Sequence, residues 1–376
     1  MSTLNDIKAI QQVSLSPGAL HEVASFLQKR KYSEVQLIAD ENTYKAAGEQ
    51  LMNLLEHEGI PVSQLRISPN PQGDCVADEQ SIVEVLLSTN PDQTDCLIAV
   101  GSGTIHDIVV RFVSHKTKVP FISVPTAPSV DGFTSAGAPL IIRGVKTTVA
   151  AVPPIAIFAD LDILVKAPQP LVAAGFGDML GKYTSLFDWK FSHLTAGEPY
   201  DEQAAVITQR ALQSCVDQVE AIGNRTEEGI RTLMTALIES GMAMLLFGQS
   251  HPASGAEHHL SHYWEMEYLR LGRRALLHGA KVGVACAEIS HLYHKAVDEG
   301  IFPGAEPEAL REHGSEVRKW IAEIPPESTI RDLLRIAGGP NDRTELGIDD
   351  ELLKRSLSQA HRLRNRHTLL RALNEA

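Results

Sequence analysis

Asp95-Cys96-Leu97-Ile98-Ala99-Val100-Gly101-Ser102-Gly103-Thr104-Ile105-His106-Asp107 joins an unbroken apolar run to a turn with two glycines. A strand buried on both faces reads as a continuous apolar run rather than an alternating one. A Gly-Ser-Gly turn directly behind it opens a helix, expected to reach about His115. The same alternation extends in both directions. Upstream, Glu34 to Asp40 reads as a strand, Thr43 to Glu58 as a helix with Leu51, Leu54 and Leu55 on one face, and Pro61 to Ser68 as a short strand. Asp78 to Ser88 reads as a helix capped by Asp78. Downstream come a strand at Phe121 to Val124, a hairpin at Ala138 to Ala150 and a last strand at Ile155 to Ala159. Strands alternating with helices imply a parallel sheet covered on both faces.

Beyond about Pro170 strand-like alternation nearly vanishes. Helical patterns take over at Asp201 to Ile222, Glu227 to Gly248, Gly255 to Leu269 and Arg273 to Ala296. The expected architecture is an α/β nucleotide-binding domain over residues 1–167 and an all-helical domain over 168–376. Ala167-Pro168-Gln169-Pro170 would form the lip of a cleft between them.

The bulk properties narrow the function. A chain of 376 residues is too long for one ordinary core and suits two. With 43% hydrophobic and 22% charged residues it has the composition of a soluble globular protein. A formal charge of −13 and a pI near 5.6 argue against nucleic acid or an anionic membrane as the main partner. Cys75, Cys96, Cys215 and Cys286 form no C-x-x-C pair, so reduced thiols in a cytoplasmic protein are expected. Met1-Ser2-Thr3-Leu4-Asn5-Asp6 lacks the basic start of a signal peptide. No apolar stretch is expected to span a membrane, because the longest, Val149 to Leu164, is broken by Pro153, Pro154, Asp160 and Asp162.

Three segments carry the chemistry. Backbone N–H groups at Gly101-Ser102-Gly103-Thr104-Ile105 can meet a pyrophosphate at a helix start. The third glycine position of the dinucleotide fingerprint holds His106, so a tight strand–helix turn explains the same residues. Asp40 ends an earlier strand, where a carboxylate can hold an adenosine ribose and repel a 2′-phosphate, favouring NAD over NADP. Pro125-Thr126-Ala127-Pro128-Ser129-Val130-Asp131-Gly132-Phe133-Thr134-Ser135 presents hydroxyls and one carboxylate on a stiffened turn at a strand end. Alone, that turn reads first as an ordinary connection. His258 and His262 lie four apart on one helix face, His278 lies on the next expected helix, and Asp178 lies at an expected helix opening. One carboxylate with two or three imidazoles suits a divalent ion of the zinc or nickel type, although each histidine singly is more often a hydrogen-bonded or surface residue.

Together these segments resemble the sn-glycerol-1-phosphate dehydrogenases, in their bacterial NAD-using branch. That family is grouped with glycerol dehydrogenases, iron-type alcohol dehydrogenases and 3-dehydroquinate synthases. The resemblance runs through most of the chain and is strongest at Gly101 to Asp107, Val124 to Ser135, Gly175 to Lys182 and His258 to His278. It implies a dehydroquinate synthase-like fold and a cytoplasmic homodimer. It also implies NAD with one nickel or zinc ion, and reversible reduction of dihydroxyacetone phosphate, a phosphorylated triose, to sn-glycerol 1-phosphate. By resemblance Asp178, His258 and His278 hold the metal, and Asp131, His262 and Asp178 face the substrate, with Asp131 and His262 as catalytic residues. Asp40, Gly101, Ser102, Gly103, Thr104, Ile105, Thr126, Ser129 and Ser135 contact NAD. His259 is left out, since neighbours on a helix diverge by about 100°. For the substrate phosphate, Lys182, Arg143 and Lys146 are candidates, Lys182 being equally explained as a structural ion pair. Rival readings are a glycerol dehydrogenase without preference for phosphate, a cyclising synthase with no net NAD turnover, and a non-catalytic NAD sensor that tolerates loss of the metal residues.

Overall fold

The computed structural model describes residues 9–105, 110–298 and 308–375. Its strands are β1 Gln12–Ser16, β2 Val35–Ala39, β3 Val62–Arg66, β4 Cys96–Gly101, β5 Phe121–Pro125, β6 Gly137–Ile142, β7 Val145–Ala150 and β8 Ala156–Asp160. Six of them form one parallel sheet in the order β1-β8-β5-β4-β2-β3. The interior strands β2, β4, β5 and β8 are buried at every residue, as their continuous apolar runs require. Two apolar clusters sandwich the sheet. Leu37, Ile98, Ile122 and Phe158 point into one, and Ile38, Leu97, Ala99 and Phe121 into the other. This is the side-chain alternation of a pleated strand expressed on two covered faces.

Chain connections leave β2 for β3 on one side and place β4 on the other. The loops after β2 and β4 therefore diverge and leave a crevice at the carboxyl ends of the strands, the usual ligand position in such sheets. Strands β6 and β7 form the expected hairpin. Its tip holds Arg143 at φ 52° and Gly144 at φ 74°. Positive φ at both positions is what a two-residue hairpin turn of this hand demands.

Some boundaries differ from expectation. β1 was not anticipated; its residues are all half-buried at the sheet edge, which weakens the alternation signal. The helix expected from Thr43 is interrupted by a wide π-type turn at Tyr44–Gly48 before continuing as Glu49–His57. Asp201 to Ile222 breaks at Gln218 into helices Glu202–Asp217 and Val219–Gly223. Of the helix expected after the glycine turn, Val110–Thr117 is described; His106 and Asp107 lie outside the described residues. The helix expected from Arg273 begins at His278, and Ala275, Leu276 and Leu277 of the preceding segment line the cleft. Glu227–Phe247 proves long and apolar enough to cross a membrane by length and composition. Here it is a core helix, burying Ile230, Leu233, Met234 and Leu237 in the main apolar cluster.

Two helices of the second half approach unusually closely. Gln169–Leu180 and His278–Asp298 cross where a Cβ on Gly279 would stand 1.7 Å from the Ala174 carbonyl oxygen. A Cβ on Gly175 would stand 1.9 Å from the Pro128 carbonyl oxygen. Glycine at these positions lets backbone touch backbone. The contact draws the helix carrying Asp178, the helix starting at His278 and the Pro125–Ser135 turn together.

Candidate active site at the strand ends

A cavity of about 930 Å³ opens over the carboxyl ends of the strands and runs into the helical half. Its outer part is lined by Asp40, Ser102, Gly103, Thr104, Ile105, Thr126, Ser129 and Ser135. Gly101 lies just beneath, as the last residue of β4, and its carbonyl accepts the Thr126 N–H at 2.8 Å. Gly103 has φ 59°, in the left-handed region open to glycine. The Ser102 and Ser129 hydroxyls hydrogen-bond each other across the groove. Asp40 follows β2 and caps the next turn, its Oδ1 accepting the Thr43 N–H at 2.7 Å while Thr43 Oγ1 accepts the Asp40 N–H at 2.9 Å. One carboxylate oxygen is thus committed to the backbone.

The Pro125–Ser135 turn is fixed from several sides. Arg111, fully buried, donates to the carbonyls of Gly132, Phe133 and Gly137 and to the Ser135 hydroxyl. The Thr134 hydroxyl donates to the Ile238 carbonyl at 3.0 Å. Asp131 reaches the cavity wall with Oδ2 held by the Lys182 ammonium at 2.7 Å and the Ser240 hydroxyl at 2.9 Å. Its backbone N–H donates to Asp178 Oδ2 at 3.0 Å.

Asp178 sits in the last turn of Gln169–Leu180 rather than at a helix opening. It is fully buried, under the cavity lining rather than on it. Its Oδ1 lies 3.1 Å from Lys182 Nζ and 3.8 Å from His258 Nε2. Asp178, His258 and His278 each offer one ligand atom, all within 4.8 Å of one another. The surroundings suit a cation. Glu257 Oε1 pairs with His258 Nδ1 at 2.7 Å, leaving Nε2 on the Asp178 side, the carboxylate–imidazole support common behind metal-bound histidines. His278 Nδ1 is buried without a hydrogen-bond partner among the described residues. Burial pushes the His278 pKa well below its ordinary value, with the His258 charge adding to the effect, so the ring is in the neutral, ligating form. Burial opposes ionisation of Glu257, yet hydrogen bonds from His258, Thr184 and the Gly255 N–H hold its carboxyl down at about 2.

His262 lies four residues beyond His258 on the helix Ala256–Arg270, with ring centroids 6.2 Å from both His258 and His278. Burial, then the Arg364 and Lys146 charges, push its pKa well below the ordinary value. Its Nδ1 is 3.3 Å from Arg364 Nη2. A guanidinium only donates, so Nδ1 accepts and the neutral ring carries its proton on Nε2. His259, excluded above, is fully buried and neither ring nitrogen has a partner among the described residues.

Residues not singled out in the sequence complete the wall. Glu265 accepts from Lys146 at 2.7 Å and Lys281 at 2.9 Å. Burial draws the Lys281 pKa down to about 8, with Glu265 opposing. Helical spacing was the available signal, Glu265 lying three residues after His262 and Lys281 three after His278. Arg364, Ser250 and Ser254 had no such signal, since they come together only through tertiary packing. Of the three cations considered for a phosphate, Lys146 lines the cavity. Arg143 is at the exposed hairpin tip, with its N–H on Glu79, and Lys182 is buried between two carboxylates.

Residues 14–168 match the family described as iron-containing alcohol dehydrogenase. The fold is similar to that of a glycerol dehydrogenase from Schizosaccharomyces pombe, with a TM-score of 0.71 at 18% identity over 97% of this chain and 89% of that one. A putative alcohol dehydrogenase from Ralstonia eutropha gives 0.70 at 17% over 97% and 95%. In sequence, the chain is 33% identical over 96% of its length to the glycerol-1-phosphate dehydrogenase [NAD(P)+] of Pyrococcus horikoshii, covering 92% of that protein. It is 48% identical over 97% of its length to the protein of that name from Geobacillus stearothermophilus, covering 93% of it. Identity at this level, sustained from end to end of both chains, makes this protein a member of the glycerol-1-phosphate dehydrogenase family.

Proposed function

We propose that the protein is an NAD-linked, metal-dependent oxidoreductase that interconverts dihydroxyacetone phosphate and sn-glycerol 1-phosphate. The observation that carries this reading is one cavity that joins the strand-end groove to a carboxylate–imidazole cluster. The names of its relatives supply the substrate. Asp178, His258 and His278 would hold one divalent ion, and their mixed oxygen and nitrogen donors favour nickel or zinc. When bound, the ion polarises a carbonyl oxygen and the nicotinamide supplies hydride.

The chain's own residues bind, orient and handle the proton. The backbone at Gly101-Ser102-Gly103-Thr104-Ile105 would receive the pyrophosphate, with Thr126, Ser129 and Ser135 along the same groove. Asp40, at the strand end, would meet the adenosine ribose, and its charge would disfavour a 2′-phosphate. Asp131 has Oδ2 fixed by Lys182 and Ser240, which leaves Oδ1 to orient a substrate hydroxyl. His262, with its proton on Nε2, would donate a hydrogen bond to the reacting oxygen and pass that proton on as charge develops there.

The metal and substrate residues beyond 168 would work with a nucleotide part before 167, as the expected division has it. Free cysteines, three of them buried, support a cytoplasmic setting. The homodimer rests on the family resemblance. The deciding experiment is NADH oxidation by metal-reconstituted protein with dihydroxyacetone phosphate against unphosphorylated dihydroxyacetone, with product chirality assigned. Strong preference for the phosphate, giving sn-glycerol 1-phosphate, is the expected result. Preference for dihydroxyacetone would make the enzyme a glycerol dehydrogenase. No oxidation of either would favour a synthase or a sensor.

A further inference from the structure

Arg364 follows the short turn Ala360–Leu363 and reaches the cavity wall half-buried. Its Nη1 donates to Ser254 Oγ at 3.2 Å and Ser250 Oγ at 3.5 Å, and its Nη2 to His262 Nδ1 at 3.3 Å. No carboxylate forms an ion pair with it among the described residues. Burial lowers its pKa, and Glu257 opposes that only from a distance. Arg366, buried beside it, donates to the Ser254 carbonyl and likewise lacks an ion pair among the described residues. Two guanidiniums thus flank Ser254 with only neutral partners.

The buried lysines of the same region are treated differently. Lys182 lies between two aspartates, and Lys281 on Glu265. Lys146 shares that single carboxylate with Lys281, so each lysine has an acid in contact where the two arginines have none among the described residues. A cation partly withdrawn from water without a counter-charge is costly to maintain, and one that faces a cavity offers a seat to an anion from outside. The planar fork of a guanidinium fits a phosphate through paired hydrogen bonds, and the two serine hydroxyls can each donate one more. Arg364 is separated from the carboxylate–imidazole cluster by the single imidazole of His262. That is the order in which a triose phosphate presents its groups, the phosphorus three bonds from the carbonyl carbon.

We propose that Arg364, with the hydroxyls of Ser250 and Ser254, seats the phosphate monoester of the substrate and so sets the preference for phosphorylated over unphosphorylated triose. The assignment rests on the reading under Proposed function and names the residues that reading leaves open. The test compares wild type, Arg364→Met, Arg364→Lys and Ser250→Ala with NADH and either dihydroxyacetone phosphate or dihydroxyacetone. Melting temperature and NADH fluorescence establish that each variant is folded. The ratio of kcat/KM between the two substrates is expected to fall about 100-fold in Arg364→Met, chiefly through KM. Arg364→Lys should lose less, because charge survives without the fork, and Ser250→Ala about tenfold or less. Inorganic phosphate should compete with dihydroxyacetone phosphate in the wild type and cease to compete in Arg364→Met. A ratio unchanged within about twofold in a folded Arg364→Met overturns the assignment. If that variant does not fold, an unchanged ratio in both Arg364→Lys and Ser250→Ala does so. Should the wild type show no preference for phosphate, the parent reading fails separately. Calorimetry with inorganic phosphate then decides the anion seat: binding to wild type alone retains it, and equal binding to wild type and Arg364→Met removes it.

Discussion

Lys182 shows how a single side chain can be legible in type while its role stays open between two readings, of which the ion pair is the one found. Its position four residues after Asp178 pointed to a neighbouring cation, but the ammonium is fully enclosed, 2.7 Å from Asp131 and 3.1 Å from Asp178. Burial opposes its charge, and the two aspartates outweigh that and raise its pKa. Replacing Lys182 by Met would leave two buried carboxylates without their shared counter-charge. A loss of about 3–5 kcal/mol in urea unfolding is expected. His251 provides a pH-dependent counterpart. Burial first, then the Arg366 charge, lower its pKa from 6.5 to about 4, so the folded protein keeps the ring neutral. A group held in that form contributes stability above its unfolded pKa and loses it as pH falls through the folded value. Between about pH 7 and about pH 5 the melting temperature should therefore drop less in His251→Gln than in the wild type. Equal drops would show that His251 is not the group responsible.

At the scale of elements, the site depends on two helices and a turn meeting without side chains between them. Gly279→Ala would put a methyl group 1.7 Å from the Ala174 carbonyl and force Gln169–Leu180 away from His278–Asp298. A destabilisation of about 3 kcal/mol is expected, together with loss of bound metal measured by elemental analysis, since the separation moves Asp178 from His278. Retention of both stability and metal would contradict the packing. This scale also explains what the sequence conveyed and what it withheld. Interior strands such as β4 announce themselves because burial on both faces leaves no polar residue to confuse the period. The edge strand β1 does not, because it is half-buried throughout. Asp178, His258 and His278 were recognisable as a set through resemblance and spacing, and the fold brings them together. The start of the third helix was misplaced by several residues, because residues 273–277 carry no Pro and no cap to mark a stop. Arg364 belongs to the irregular segment after residue 363, where no periodicity links it to His262.

For the molecule as a whole, the carboxylate–imidazole cluster lies where the sheet-bearing half and the helical half share one apolar core, Ala127, Phe133 and Ile157 packing with Phe176, Leu237 and Leu260. An ion bound there stabilises the native chain by mass action, by about 2.7 kcal/mol at a free concentration a hundred times its dissociation constant. Chelation should therefore lower the melting temperature as well as abolish turnover, and adding back a divalent ion should restore both. A chelated protein with unchanged melting temperature and full turnover would remove the metal from the account.

The carboxylate of Asp178 faces two ways. One oxygen looks toward His258, and the other holds the backbone N–H of Asp131, in the turn whose serines line the nucleotide groove. A single rigid plane of three atoms thus ties the proposed seat of the ion to the wall of the proposed coenzyme groove. Linkage then requires reciprocity: whatever factor the coenzyme adds to ion affinity, the ion returns to coenzyme affinity. Titrations of either component, with and without the other, should therefore give affinities that change by the same factor.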